Sequence, residues 1–367
     1  MNLLGAVTVV LCSFCLQNEP ARSTDDDISV LVYPTTTKNP RYTEGSVIQL
    51  KNGALLFAVT EFSKGQSDFS SGQIVGREST DGGRTWGAMR VLQKNTGKQN
   101  VMSVTLKRLS ADSIAMFYLE KNGYDDLHAY VRFSTNETKT FGKRVLVTAG
   151  DGYHIVNNDR VVRLKSGRIM VPVSYAKDIH KPKLNHITSH CVYSDDQGAT
   201  WHRGRGTVDL PKRGAMEPEF VELKDGRVLM IVRTQLGHIA KSYSSDQGET
   251  WTKPESMGVT APEAPSTIRR VPSTGDLLLI WNNTSKPGAD HGGRRTPLTA
   301  AISKDEGETW EHVNQLESDS AKTFAYTSVY FVKDRVLLTY WERTPKGIAS
   351  RFRSLPLSWF YSSVWTL

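Results

Sequence analysis

The sequence lacks the motifs that would indicate metal, nucleotide or nucleic-acid chemistry. It has no His-Glu-x-x-His motif, and no glycine-rich phosphate loop follows a strand and opens a helix. The formal net charge is +8, but there is no run of five or more lysines and arginines. A scattered positive charge favours a small acidic partner over nucleic acid. We therefore expect no metal, no cofactor and no nucleic-acid partner.

Long hydrophobic runs are also missing. The apolar stretch at 3–16 is too short to span a bilayer, and the acidic segment NEPARSTDDD follows it. We therefore expect no stable membrane span and predict a signal peptide over residues 1–22. A buried N-terminal strand is the alternative, because no lysine or arginine precedes the apolar core. Cleavage would leave Cys191 alone of the three cysteines, in a secreted or extracytoplasmic protein without an intrachain disulfide.

No segment has a convincing amphipathic helical pattern, and a repeated phrase is found instead. The phrase SDDQGATW at 194–201 has close copies at 79–86, 244–251 and 303–310, and a degenerate copy at 134–141. In the close copies an aspartate can accept N–H bonds from the residues after it, glycine permits positive φ, and the final tryptophan anchors the turn. We interpret these aspartates as turn formers rather than catalytic acids.

A second repeat, a hairpin of strand, tight turn and strand, occurs six times out of phase with the first. The period of about fifty to sixty residues is typical of propeller blades. One four-stranded sheet per repeat, arranged radially, hides most strand edges without helices. The sequence therefore predicts an all-β six-bladed β-propeller as a single domain over 23–367. The strand near Ile28 is expected to complete the last blade beside the C-terminal segment RFRSLPLSWFY.

Polar residues that interrupt the hairpin pattern indicate a candidate site, because the loops between strands converge at one end of a propeller axis. They occur at blade-related positions and are Arg41, Asp68, Glu217, Arg233, Arg295 and Tyr326. With the turn phrases, they make the chain resemble the sialidase (neuraminidase) superfamily, whose enzymes are six-bladed propellers with such Asp-box (BNR-repeat) turns. The resemblance covers nearly the whole chain after about residue 30.

The resemblance implies three arginines that bind the carboxylate of the substrate. Arg41 in PRYTEG matches the first, although the family's Ile-Pro does not follow it. Arg233 in VELKDGRVLMIVR matches the second, and Arg295 in GRRTPLTAAIS the third, with Arg294 as the alternative. Guanidinium groups suit a carboxylate because they offer paired planar donors and keep their charge.

The resemblance also implies a catalytic set. Asp68 corresponds to the general acid/base, and Tyr326 in FAYTSVYF to the nucleophile. Glu217 corresponds to the partner of the tyrosine, with Glu219 as the competing choice, and Glu342 in TYWER resembles the carboxylate that steadies the first arginine.

The implied activity is that of an exo-α-sialidase, which removes terminal sialic acid from glycoconjugates with retention of configuration. A tyrosine nucleophile replaces the usual carboxylate in such enzymes. It suits a substrate whose anomeric carbon already carries a carboxylate, because a neutral phenol is not repelled. We expect the arginines to lower the pKa of Tyr326.

The same sequence features also fit two other functions: a glycosidase or lyase of the same scaffold acting on another acidic sugar, and a non-catalytic glycan-binding propeller. The polar segment GYHIVNNDR at 152–160 either lines the pocket or forms a hydrogen-bonded loop between blades. The sequence does not predict an oligomeric state.

Overall fold

The computed structural model describes residues 27–284 and 294–362. The signal peptide predicted at 1–22 lies outside the described residues. Within them, the secondary structure consists of β-strands and one short 3₁₀ helix at Leu357–Tyr361. No helix of the described residues is long and apolar enough to cross a membrane.

Six antiparallel sheets follow one another along the chain, and each is one blade. Strand β1 (Ile28–Tyr33) precedes the first blade and belongs to the last. The first three blades are β2 (Arg41–Gln49), β3 (Leu55–Ser63), β4 (Ser71–Ser79) and β5 (Arg90–Gln93); β6 (Asn100–Ser110), β7 (Ser113–Lys121), β8 (Asp126–Ser134) and β9 (Val145–Leu146); and β10 (Gly152–Ile155), β11 (Val162–Arg163), β12 (Ile169–Ala176), β13 (Thr188–Ser194) and β14 (His202–Arg203). In the third blade, β10 and β11 both pair with β12 and together act as one interrupted strand.

The other three blades have the same plan. They are β15 (Met216–Glu222), β16 (Val228–Arg233), β17 (His238–Ser244) and β18 (Glu255–Thr260); β19 (Thr267–Arg270), β20 (Leu277–Asn282), β21 (Leu298–Ser303) and β22 (Glu311–Glu317); and β23 (Thr323–Val332), β24 (Arg335–Thr344) and β25 (Gly347–Pro356) with β1. Strand β16, VLMIVR, is buried at every position. Continuous burial of this kind is expected for a central strand that is covered on both faces.

The ring is closed by the first strand of the described chain. Strand β1 pairs antiparallel with β25, with Ile28 opposite Ser354 and Val30 opposite Phe352. Contacts between the first strands of neighbouring blades, including β23 with β2, run around the axis. The predicted six-bladed propeller is confirmed, as is the place of the strand near Ile28.

The repeated turn phrases, which we call Asp boxes, have one common geometry. In the box at 194–201, Asp196 accepts the backbone N–H of Thr200 at 2.9 Å and its hydroxyl at 2.5 Å. The Ser194 hydroxyl accepts the N–H of Gly198 at 2.8 Å. These hydrogen bonds, above all those from Thr200, lower the pKa of Asp196. The same bonds occur at Asp81, Asp246 and Asp305, so the box aspartates are turn formers.

Four of the strands that line the axis carry a β-bulge. The register shifts between Thr43 and Ser46, Met102 and Thr105, Met216 and Glu219, and Ala325 and Ser328. Each bulge contains a residue with positive φ, namely Glu44 (59°), Ser103 (58°), Glu217 (45°) and Tyr326 (60°). A bulge re-aims a side chain, and positive φ in a residue other than glycine costs free energy that the surroundings must offset. We call these four sites the axial bulges.

Candidate active site

A phenol and a carboxylate from two axial bulges meet at the centre of the site. The Tyr326 hydroxyl donates to Glu217 Oε1 at 2.7 Å. The other oxygen of Glu217 accepts from Arg233 Nη1 at 2.6 Å. The Tyr326 ring stacks on Trp341, with ring centres 6.0 Å apart and planes at 27°. The phenol therefore has a proton acceptor in contact and a fixed ring plane.

Burial and neighbouring charges shift the pKa values of Tyr326 and Glu217 in opposite directions. Burial, and then the Glu217 carboxylate, raise the pKa of Tyr326 well above its usual value, while Arg233 and Arg295 lower it by less. The two arginines thus lower the pKa of Tyr326, as expected, but burial and Glu217 outweigh them, so the net shift is upward. Burial also raises the pKa of Glu217, but Arg233 and the bond from Tyr326 outweigh it, so this pKa lies below its usual value.

Arg41, the first of the three predicted arginines, is held by two carboxylates. Its Nη1 lies 2.5 Å from Asp68 Oδ1, and its Nη2 lies 3.2 Å from Glu44 Oε1. Glu44 stands in an axial bulge and also accepts a short hydrogen bond from Ser103 in the next bulge. Glu44 and Ser103 are not among the residues predicted from the sequence.

Arg295 and Arg233 also lie close to the phenol. Arg295 is buried, with its guanidinium carbon 5.8 Å from the ring centres of Tyr326 and Trp341. Its Nη2 donates to the carbonyl of Glu263 at 3.3 Å, and the Glu263 carboxylate lies 3.0 Å from Arg233 Nη2.

The structure distinguishes between the residues that the sequence left as alternatives. Arg294 is exposed and donates to the carbonyl of Ser320 at 3.2 Å, so Arg295 and not Arg294 lies in the site. Glu219 lies 2.8 Å from Arg160 with both side chains fully buried, so Glu217 is the carboxylate beside Tyr326.

One predicted position does not match the geometry. Glu342 was expected to steady Arg41, but among the described residues its ion pairs are with Arg351 at 2.9 Å and Lys322 at 3.6 Å. Successive residues of a strand face opposite sides of the sheet. Because Trp341 faces the site, Glu342 faces away, and Glu44 holds Arg41 instead.

Two cavities open on the phenol. A cavity of about 130 Å³ is lined by Arg41, Thr43, Glu44, Asp68, Arg295, Thr323, Tyr326, Trp341, Arg343 and Ile348. We call it the guanidinium cavity. A second cavity of about 300 Å³ shares Glu44, Asp68 and Tyr326 with it and has a largely apolar wall that includes Met102, Leu119, Leu127, Ile155 and Met216.

The second cavity contains a buried lysine that is not among the residues predicted from the sequence. Lys121 Nζ donates to the carbonyl of Asp68 at 2.9 Å and lies 4.6 Å from the centre of the Phe69 ring. Burial lowers the pKa of Lys121 to about 8, although Asp68 and Glu44 act in the opposite direction. No sequence signal marks this residue, because it ends an ordinary buried strand, SIAMFYLEK.

The segment at 152–160 both lines the pocket and links blades. Asn157 lines the second cavity. Asn158 Nδ2 donates to the carbonyl of Gly45 at 2.7 Å and to that of Tyr326 at 3.1 Å, and thereby joins two axial bulges. Asp159 accepts the N–H of Val329 at 3.0 Å. The third blade therefore supports the strand that carries the phenol.

Comparison with known proteins gives the family. The model of the BNR repeat-like domain matches residues 73–338. The chain belongs to this family. The BNR repeat-like chain also falls within the sialidase superfamily, in agreement with its sequence motifs.

Relatives of this BNR repeat-like protein include two bacterial sialidases. The Micromonospora viridifaciens sialidase is 24% identical over 332 residues, which cover 78% of this chain and 47% of that protein. The Bacteroides fragilis sialidase is 23% identical over 299 residues, which cover 71% and 52%. The chain thus spans about half the length of these two relatives.

Solved structures show the same fold. The Trypanosoma rangeli sialidase in complex with the inhibitor DANA has a TM-score of 0.71 at 16% identity, over 89% of this chain and 59% of that one. A Dyadobacter fermentans protein of unknown function has a TM-score of 0.71 at 20% identity, over 90% of this chain and 98% of that one.

Proposed function

We propose that this protein is an exo-α-sialidase that hydrolyses terminal sialic acid from glycoconjugates with retention of configuration. The observation that supports this most directly is the Tyr326–Glu217–Arg233 series of contacts beside a cavity lined by Arg41 and Arg295. It combines a phenol, an acceptor for its proton and guanidinium groups for a carboxylate. The superfamily relationship agrees with this proposal.

In the first step, Tyr326 attacks the anomeric carbon while Glu217 accepts the phenolic proton. The raised pKa of Tyr326 keeps the phenol neutral until the substrate is bound. A neutral phenol approaches an anomeric centre that bears a carboxylate without charge repulsion. The lowered pKa of Glu217 keeps this carboxylate ionised and ready to accept the proton.

Asp68, once it has left Arg41 and taken a proton from solvent, protonates the leaving glycosidic oxygen and then takes a proton from the water that releases the sugar, while Glu217 returns its proton to the Tyr326 oxygen. In the structure Asp68 is paired with Arg41, and its side chain is about half exposed. A substrate carboxylate that binds Arg41 competes with this pair. Exchange of one carboxylate for the other would leave Asp68 available for the leaving group.

The proposal is tested by hydrolysis of a fluorogenic sialoside with the wild type, Tyr326→Phe and Asp68→Ala. Tyr330→Phe is the matched control, because Tyr330 lies on the same strand but lines neither cavity. We expect turnover by the wild type and by the control, and loss in both site variants.

A wild type that leaves sialosides intact but cleaves glycosides of another acidic sugar would replace the proposal with the first alternative. A wild type that binds acidic sugars and cleaves none would leave a glycan-binding propeller.

A further inference from the structure

The five arginines that line the two cavities differ in how their charges are compensated. Arg213 is paired with the carboxylate of Glu263. Arg41 is paired with two carboxylates, those of Glu44 and Asp68. Arg233 is likewise paired with two, those of Glu217 and Glu263. All three are therefore occupied before any ligand enters.

Arg295 and Arg343 have no such compensation. Among the described residues, neither forms an ion pair with a carboxylate. The Nε of Arg295 is buried and has no hydrogen-bond acceptor within the described part of the chain. Leaving a buried donor unpaired costs free energy that a bound acceptor would recover. The Nε itself is covered, but Arg295 lines the guanidinium cavity, so an anion there can compensate the charge of its guanidinium group.

Arg343 lies at the mouth of the same cavity. It is exposed near the end of β24, with its guanidinium carbon 6.0 Å from the centre of the Trp341 ring. Burial by neighbouring groups and the charge of Arg41 lower the pKa of Arg343. The cavity therefore concentrates positive charge at its entrance. An arginine held against an aromatic face is suited to carboxylate recognition, since its planar donors are partly fixed in advance.

We propose that Arg343 is a substrate-binding residue that, with Arg295, makes the first contacts to the carboxylate of an acidic sugar, before that carboxylate displaces Asp68 from Arg41. The inference rests on the proposed function for the class of ligand. It adds a fourth guanidinium to the three that the sequence indicates.

The test compares Arg343→Ala with Lys346→Ala. Lys346 lies in the exposed turn between β24 and β25 and lines neither cavity, so its removal subtracts the same charge without touching the site. Dissociation constants of free sialic acid and of glucuronic acid are measured by calorimetry, and KM and kcat with a fluorogenic sialoside. We expect Arg343→Ala to weaken binding of the acid and to raise KM by about 10- to 100-fold relative to Lys346→Ala, with kcat nearly unchanged.

The methyl ester of sialic acid, which lacks the negative charge of the carboxylate, distinguishes a purely structural role of Arg343 from a role in binding the carboxylate. The loss in Arg343→Ala should shrink to less than about 2-fold for the ester, and Arg343→Lys should recover part of the affinity for the acid. Equal affinities of Arg343→Ala and Lys346→Ala for the acid, or an equal loss for acid and ester, would overturn the inference.

The same measurements separate this inference from the proposed function. If the wild type cleaves no sialoside but binds glucuronic acid through Arg343, the sialidase proposal fails and the inference stands. If the wild type cleaves the sialoside and Arg343→Ala keeps its KM, the function stands and the inference fails. A wild type that binds neither sugar acid overturns both.

Discussion

The Asp boxes and two of the axial bulges each hold a carboxylate, but the hydrogen-bond donors to these carboxylates come from different distances along the chain. Asp196 in a box is bonded to residues within four positions of itself. Glu217 in an axial bulge is bonded to Tyr326, which is 109 positions away. A carboxylate whose hydrogen-bond donors lie in the same turn keeps them without the rest of the fold. A carboxylate whose donor comes from a distant blade depends on the fold to bring that donor close. The first arrangement builds blades, and under the proposed function the second holds the catalytic groups.

The sharpest test of this comparison is Glu217→Gln against Glu219→Gln. The first removes the acceptor for the Tyr326 proton, and we expect kcat to fall by about 100- to 10,000-fold. The second weakens the buried pair with Arg160, so the free energy of unfolding should fall while kcat of the folded protein is kept. Steady-state kinetics and urea denaturation measure the two effects. Equal losses of kcat would remove the distinction between positions 217 and 219.

The link between two axial bulges gives the next largest effect. Asn158→Leu removes the donor to the carbonyls of Gly45 and Tyr326, and we expect the free energy of unfolding to fall by about 2–4 kcal/mol. Because the phenol is then less well held, kcat should fall as well. Asn157→Leu is the control for the stability measurement alone, since Asn157 Nδ2 has no partner among the described residues. Unchanged stability in Asn158→Leu would show that the hydrogen bonds from Asn158 do not stabilise the two bulges.

The boxes should respond in stability alone. Asp196→Ala removes the acceptor of two bonds from Thr200, and we expect it to lower the free energy of unfolding with no change in kcat. Asp195→Ala, its neighbour, loses only a surface pair with Arg168 and should change stability by less than about 1 kcal/mol. A fall in kcat of folded Asp196→Ala would contradict the assignment of the boxes to structure.

Acid should separate the boxes from strand β10, next to the segment that joins two axial bulges, with a smaller effect. Burial, and then His128, lower the pKa of His154 to about 4, so the unfolded chain binds a proton more tightly than the folded one between about pH 6.5 and 4. Stability contributed by His154 is therefore lost as pH falls through this range, by about 1–3 kcal/mol. The lowered pKa of Asp196 keeps the box bonded to lower pH.

Denaturation at a series of pH values measures this loss, and His154→Phe should flatten it. Hydrogen exchange should show β10 opening before the N–H of Thr200 as the pH falls. The same pH slope in the wild type and in His154→Phe would show that other groups cause the loss.

The sequence predicts the boxes, the blades and the closing strand because each depends on residues close together in the chain. Tyr326, Glu217, Arg233 and Arg295 are found through motifs that recur in a family, and the fold brings them together. Glu44 escapes notice because RYTEGSVIQ is buried at eight of its nine positions, which leaves no alternation to reveal a bulge. A bulge changes which face a side chain occupies, as does the one-residue step from Trp341 to Glu342.

The pairing of β1 with β25 has a consequence for biosynthesis. The strand at Ile28–Tyr33 leaves the ribosome more than three hundred residues before its partner at Gly347–Pro356. Until then its unpaired edge is open to other chains, and bringing such distant segments together carries a large entropic cost. We expect nascent chains to expose this edge throughout elongation, so a chaperone that shields extended apolar segments should raise the yield of closed rings.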